Sequence, residues 1–190
     1  DILLIWLISL LLITSVRSFF IYQYKTLSPS INEAPFWMRR FLIGSIAASV
    51  IWGTSSIWLF PSQDLARQVF LAFVLGGMAA GAITSLSYNK IAIYTFLSFT
   101  LITLLLRFFY SGIDLSFAMG MMMALYFIVL FQSAKEIYIR NNENINMRIS
   151  NIEQQRTLNE SEHRYKTLLD TATDAFILHD TSGKIINVNN

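Results

Sequence analysis

The stretch Leu115–Gln132, LSFAMGMMMALYFIVLFQ, carries no charged residue, and Ser133-Ala134-Lys135-Glu136 then opens a polar run. An apolar run of about this length is what crossing roughly 30 Å of hydrocarbon demands, because each residue of helix advances about 1.5 Å and every backbone polar group must be satisfied within it. Four more predominantly apolar runs lie upstream, at Ile2–Ile21, Phe41–Phe60, Val69–Leu86 and Ile91–Leu106. The last of these is the shortest and needs Arg107 or its flanking aromatics at the interface. Composition agrees, since 54% of the 190 residues are hydrophobic and 14% charged, which disfavours an ordinary soluble domain. The expected fold is mainly α, a polytopic helical membrane bundle of about five spans over residues 1–134.

Basic residues near the run ends give the bundle a direction. Lys25, Arg39, Arg40, Lys90, Lys135 and Arg140 fall on one side if the helices alternate, and that side is expected to be cytoplasmic. Arg17 reaches the same side by snorkelling, whereas Arg67 and Arg107 fall on the opposite face. Asp1 is then outside and Ala134 inside. An odd number of spans, and a start at Asp1 without Met, basic n-region or cleavage site, lead us to expect an excised segment preceded by a further span. Pro61-Ser62-Gln63-Asp64 and Ser111-Gly112-Ile113-Asp114 read as short outer turns and Tyr88-Asn89-Lys90 as a tight inner one, which enforces antiparallel neighbours. Trp37, Trp58, Phe60, Phe108, Phe109 and Tyr110 stand where an interfacial aromatic belt is expected.

Other classes close quickly. Without cysteine, neither a disulfide framework nor a thiolate metal site can form. A net charge of +2 is too small to point to nucleic acid.

From Ala134 the chain is polar and helical in character, with no Pro or Gly before Gly183, so the fifth span is expected to continue as a cytoplasmic helical linker over 135–161. Ile145, Ile149 and Ile152 follow a four-three spacing, and Leu158 and Tyr165 recur seven apart, a short coiled-coil seam whose phase slips between Ile152 and Leu158. The same pattern is compatible with a solvated helix. Asp174–Asp180 and Lys184–Val188, joined by Thr181-Ser182-Gly183, read as a β-hairpin, which needs further elements to cover it.

Arg164-Tyr165 through Asp174-Ala175, Phe176-Ile177-Leu178-His179-Asp180, Gly183-Lys184-Ile185-Ile186 and Asn187-Val188-Asn189 resemble the opening of a PAS sensory domain. The resemblance covers residues 162–190. It implies a cap helix and the first two strands of an α/β sensor fold, with the rest of the fold and its ligand pocket beyond Asn190, so it names no ligand. Trp58-Leu59-Phe60-Pro61 and Ala72–Ala82 are similar to multi-span input regions that precede PAS domains in bacterial signalling proteins. Together the two resemblances imply an input region in the bacterial inner membrane. Its output would be a sensor histidine kinase of a two-component phosphorelay, or alternatively a diguanylate cyclase or phosphodiesterase.

Among candidate site residues, Gly76, Gly77 and Gly81 hold a G-x-x-x-G pair whose small residues let helices approach closely, with a ligand groove as the alternative. A phosphate loop is excluded, since no Lys-Ser/Thr follows. Arg67 and Arg107 are candidate outer-face anion contacts, or interfacial anchors that pair with Asp64 and Asp114. Met119, Met121, Met122 and Met123 offer thioethers that suit Cu(I), but without Cys or intramembrane His they read as flexible packing, and no metal site is expected. His163 lacks the surroundings of a kinase phosphoacceptor, and His179 reads as a structural strand residue. No catalytic constellation emerges, so no catalytic residue and no cofactor are assigned to this segment. The expected partners are the lipid bilayer, a second copy through the seam Ile145, Ile149 and Ile152, and a small-molecule signal of unspecified identity. A transporter is disfavoured because the spans hold essentially no ionisable residues away from their ends, and a passive anchor remains as an alternative.

Overall fold

The computed structural model describes residues 1–171 and 177–188. Its contacts divide into two units, Asp1–Asn141 and Asn142–Asn190. The chain is mainly helical, and five helices are long and apolar enough to cross a membrane.

Helix α1 covers Ile2–Leu27 and ends on Ser28 in the left-handed conformation, whose N–H bonds Tyr24 O. A 3-10 turn, Ile31–Glu33, leads into α2, Ala34–Trp58, with Pro35 in its first turn where no amide partner is lost. Helix α3, Leu65–Leu86, starts at Asp64, whose carboxylate caps the Arg67 amide at 3.1 Å. Asn89 caps the next helix through the Ala92 amide at 3.0 Å. The fourth membrane-length helix is one run, Lys90–Tyr110, made of α4 (Lys90–Leu97), a π turn (Ser98–Ile102) and α5 (Thr103–Tyr110). It is longer at both ends than the apolar run Ile91–Leu106, because the Asn89 cap adds Lys90 and the aromatic end carries the helix to Tyr110. Gly112, at φ 72°, turns the chain into α6, Asp114–Thr171.

The core of the first unit lies among α3, the fourth helix and the bundle part of α6, with Leu75, Ile93, Leu97, Leu101 and Leu104 fully enclosed. Helix α2 joins through small residues, burying Gly44, Ser45, Ala48, Ser49, Gly53, Ser55 and Ser56. In lipid, apolar side chains gain little by leaving the membrane for the protein interior, so helices associate where small residues allow close backbone approach. The tightest approach is at Gly53, where a Cβ would stand 2.6 Å from Phe99 O in the π turn. Helix α1 has no buried residue and packs on α2, through Trp6 Nε1 donating to Ile51 O at 2.9 Å and an edge contact between Trp6 and Trp52.

Two expectations of place are corrected. Phe60 and Phe108, assigned to an interfacial belt, are buried against each other with ring centres 5.6 Å apart. Arg107 does not pair with Asp114; its guanidinium lies over the Phe60 ring at 5.3 Å.

In the second unit, α6 is exposed from Glu143 to Leu168. Two short strands, β1 (Ile177–His179) and β2 (Ile185–Val188), pair antiparallel with a bulge between Leu178 and His179. The Asp180 carboxylate closes their turn, accepting from Ser182 N at 2.9 Å, Ser182 Oγ at 2.6 Å and Lys184 N at 3.0 Å, while Gly183 takes φ 84°. The portion of the expected first strand from Asp174 to Phe176 lies outside the described residues.

Candidate functional site

The feature of the first unit with most chemical definition is the seam between α3 and α6. Near the start of both helices Gln68, fully buried, accepts from Ser116 Oγ at 2.8 Å and donates from Nε2 to Pro61 O at 3.0 Å. Midway, Tyr126 Oη donates to Gly76 O at 3.1 Å. At the other end of α3, Asn141 Nδ2 donates to Ser87 Oγ at 2.8 Å. Polar side chains among apolar neighbours carry a desolvation cost unless they bond, so each of these contacts fixes the register of one helix against the other.

The glycine cluster divides across this seam. Gly76 is buried, and a Cβ placed there would meet the Tyr126 ring at 3.3 Å. Gly77 and Gly81, the G-x-x-x-G pair, face outward with nothing within 4 Å of an added Cβ. The close approach that the motif led us to expect is made by Gly76 within the chain and by neither member of the pair. On α6, Gly120 performs a similar service, since a Cβ there would stand 2.9 Å from the Phe109 ring.

The other candidates are scattered. Arg67 is exposed and pairs with Asp64 at 3.0 Å, an ion pair closed within its own helix end. Arg107 Nε is enclosed without a hydrogen-bond acceptor, and its guanidinium stacks on Phe60, so the two arginines serve separate local contacts. Met123 is buried and Met119 half-buried against the core, while Met121 and Met122 are exposed, which fits packing and splits any thioether cluster. No group of His, Cys, Asp or Glu suited to a metal occurs among the described residues. Ile145, Ile149 and Ile152 are exposed within this chain. His179 Nδ1 lies 2.9 Å from Asp180 O, beside the turn. The Ser182 hydroxyl, followed by the Lys184 amide, holds the Asp180 carboxyl below its ordinary pKa.

Sequence reasoning passed over the seam because Gln68, Ser116, Tyr126, Ser87 and Asn141 are common residue types at no motif spacing. The available signal was Gln68 itself, an amide within an apolar helix, which calls for a partner. No family model matches the chain, and no curated protein or solved structure does.

Proposed function

We propose that this chain is the membrane-embedded input region of a bacterial signal-transduction protein. It would relay a signal through α6 to a PAS domain that begins near Glu162, and from there to an output domain, in first place a sensor histidine kinase. The observation that carries the reading is that one helix, Asp114–Thr171, both contributes to the apolar bundle and continues past it toward the PAS-like residues. A signal that favours one of two packings of α3 on α6 would displace that helix, and a ligand does so only as far as it binds the two packings unequally. The π turn at Ser98–Ile102, pressed on Gly53, supplies an irregular element of the kind found where helices rearrange. A second copy joins along Ile145, Ile149 and Ile152, which are exposed apolar side chains in the mainly polar part of α6 beyond Ala134. The orientation that goes with this reading puts Asp1 outside and residues 135–190 in the cytoplasm of an inner membrane.

The test is output activity in membranes from the intact protein, its seam variants, and a form whose five spans are replaced by an unrelated helix pair. Histidine autophosphorylation from ATP identifies the kinase, and GTP condensation identifies the cyclase. Signalling unchanged by either the replacement or the seam variants contradicts an input role and leaves a passive anchor.

A further inference from the structure

Where α1 leaves the bundle and α2 enters it, the two helices are separated by a groove of about 410 Å³. From α1 come Arg17, Phe20 and Lys25 and from α2 Trp37, Arg40 and Phe41, among other apolar residues. With Ile21 and Tyr24 of α1 and Ala34 and Met38 of α2, which also line it, each set recurs at three- and four-residue steps, so each is a single helix face, and the two faces stand apart at this end where Ser28 and the 3-10 turn set the spacing. Further along, the gap closes on Gly44, where a Cβ would lie 3.0 Å from Arg17 Cγ, so the Arg17 stem forms the floor. The Arg40 guanidinium is held in place over the Phe36 ring at 4.2 Å and the Phe20 ring at 5.0 Å, with a long bond of 3.4 Å to Gln23. Tyr24 and Trp37 meet edge to face at 5.5 Å beside it. Among the described residues the ion pairs are Arg67–Asp64 and Arg156–Glu160, so no carboxylate neutralises Arg17, Lys25 or Arg40.

We infer that this groove binds one phospholipid with an anionic headgroup, its phosphate between Arg17, Lys25 and Arg40 and an acyl chain along the apolar wall formed by Phe20, Trp37 and Phe41. The charge and the walls together select this occupant. Lys25 and Arg40 near the facing ends of two membrane-length helices, with Arg17 about two turns deeper at the floor, fit a phosphate, guanidinium offering it paired donors, and aromatic walls of this size suit a chain more than a hydrated ion. The inference rests on the membrane reading of the helices but not on the signalling role or on which side is cytoplasmic. It also accounts for an otherwise odd feature, an arginine ten residues inside the end of an apolar helix with no ionic partner.

The test is native mass spectrometry of the full chain in mild detergent, offered phosphatidylglycerol and phosphatidylcholine together. One phosphatidylglycerol is expected to be retained in preference to phosphatidylcholine. Arg17→Gln and Lys25→Gln are each expected to weaken that preference about fivefold, the effect of one cation near a charged headgroup. Arg39→Gln, an exposed cation that does not line the groove, is expected to leave it unchanged. Lys25→Gln guards against a folding defect in the Arg17 variant, because Lys25 is exposed. Equal retention of the two lipids, or full retention by the Arg17→Gln, Lys25→Gln double variant, overturns the proposal. Displacement by millimolar inorganic phosphate would assign the site to a free anion instead. A disulfide-linked dimer through Ile21→Cys, in a chain without other cysteines, would show a second copy in the groove and equally overturn it. Release of the chain from membranes by alkaline wash would refute the membrane reading itself, whereas lost lipid preference in an integrated chain refutes the groove alone.

Discussion

Helix α1 and the helix Lys90–Tyr110 are both apolar enough to span a bilayer, yet α1 buries no residue and Lys90–Tyr110 is the most enclosed of the five membrane-length helices. Apolarity therefore selects the membrane without selecting a place within the bundle. Place is decided by small and hydroxyl residues, which allow backbone approach, and by the few polar groups that must find partners. Helix α2 presents Gly44, Ser45, Ala48, Ser49 and Gly53 to its neighbours; the corresponding stretch of α1 presents Leu, Ile and Phe to its surroundings.

The largest expected effect that sharpens this contrast is at Gly53. Gly53→Ala puts a methyl 2.6 Å from the Phe99 carbonyl, a backbone group that cannot swing aside, so a loss of about 2–3 kcal/mol is expected in detergent unfolding. Gly77→Ala and Gly81→Ala, which meet nothing, are expected to change the same measurement by no more than about 0.5 kcal/mol. A comparable loss at Gly77 would mean that the outward face of α3 is packed in the membrane, and the comparison would break there.

Next in size is the seam. Ser116→Ala strips a buried Gln68 oxygen of its donor and is expected to cost about 1–2 kcal/mol, and Tyr126→Phe about 0.6 kcal/mol, the usual worth of an interhelical hydrogen bond in a bilayer. Thr100→Val makes the opposite test. The Thr100 hydroxyl is buried without a partner, so its replacement is expected to leave stability unchanged or raise it by up to about 1 kcal/mol in the same unfolding experiment.

The smallest effect concerns the turn between β1 and β2. The Asp180 carboxylate has its pKa lowered by the Ser182 hydroxyl and the Lys184 amide, so the charged form is the bonded one. Its contribution is present above the ordinary carboxylate pKa and disappears as pH falls through the lowered value. In an acid titration followed by NMR, the Ser182 and Lys184 amide shifts should move together at a pH below the usual aspartate range. Asp180→Asn, which cannot ionise, should abolish that movement.

Much of this architecture was legible in the residues. The five runs, the breaks at Pro61–Asp64 and Tyr88–Lys90 and the turn at Thr181-Ser182-Gly183 are local patterns, and local patterns survive in a sequence. The inward faces were less legible. Phe60 and Phe108 sit near run ends and so resembled interface aromatics, but tertiary packing turned them onto one another. The pair Gly77 and Gly81 carried the motif, while Gly76, one residue earlier and a hundred degrees round the helix, makes the contact. The bond between Gln68 and Ser116 joins residues 48 apart, which no window of periodicity reaches.

The relay through α6 is tested most directly by oxidative cross-linking in native membranes. Single cysteines at Ile145, Ile149 and Ile152 would be compared with the seam intact and with it cut by Gln68→Leu and Tyr126→Phe. A relay predicts cross-linked dimers at these positions and a shifted pattern of yields once the seam is cut. Monomer alone, or a dimer pattern indifferent to the seam, would contradict it.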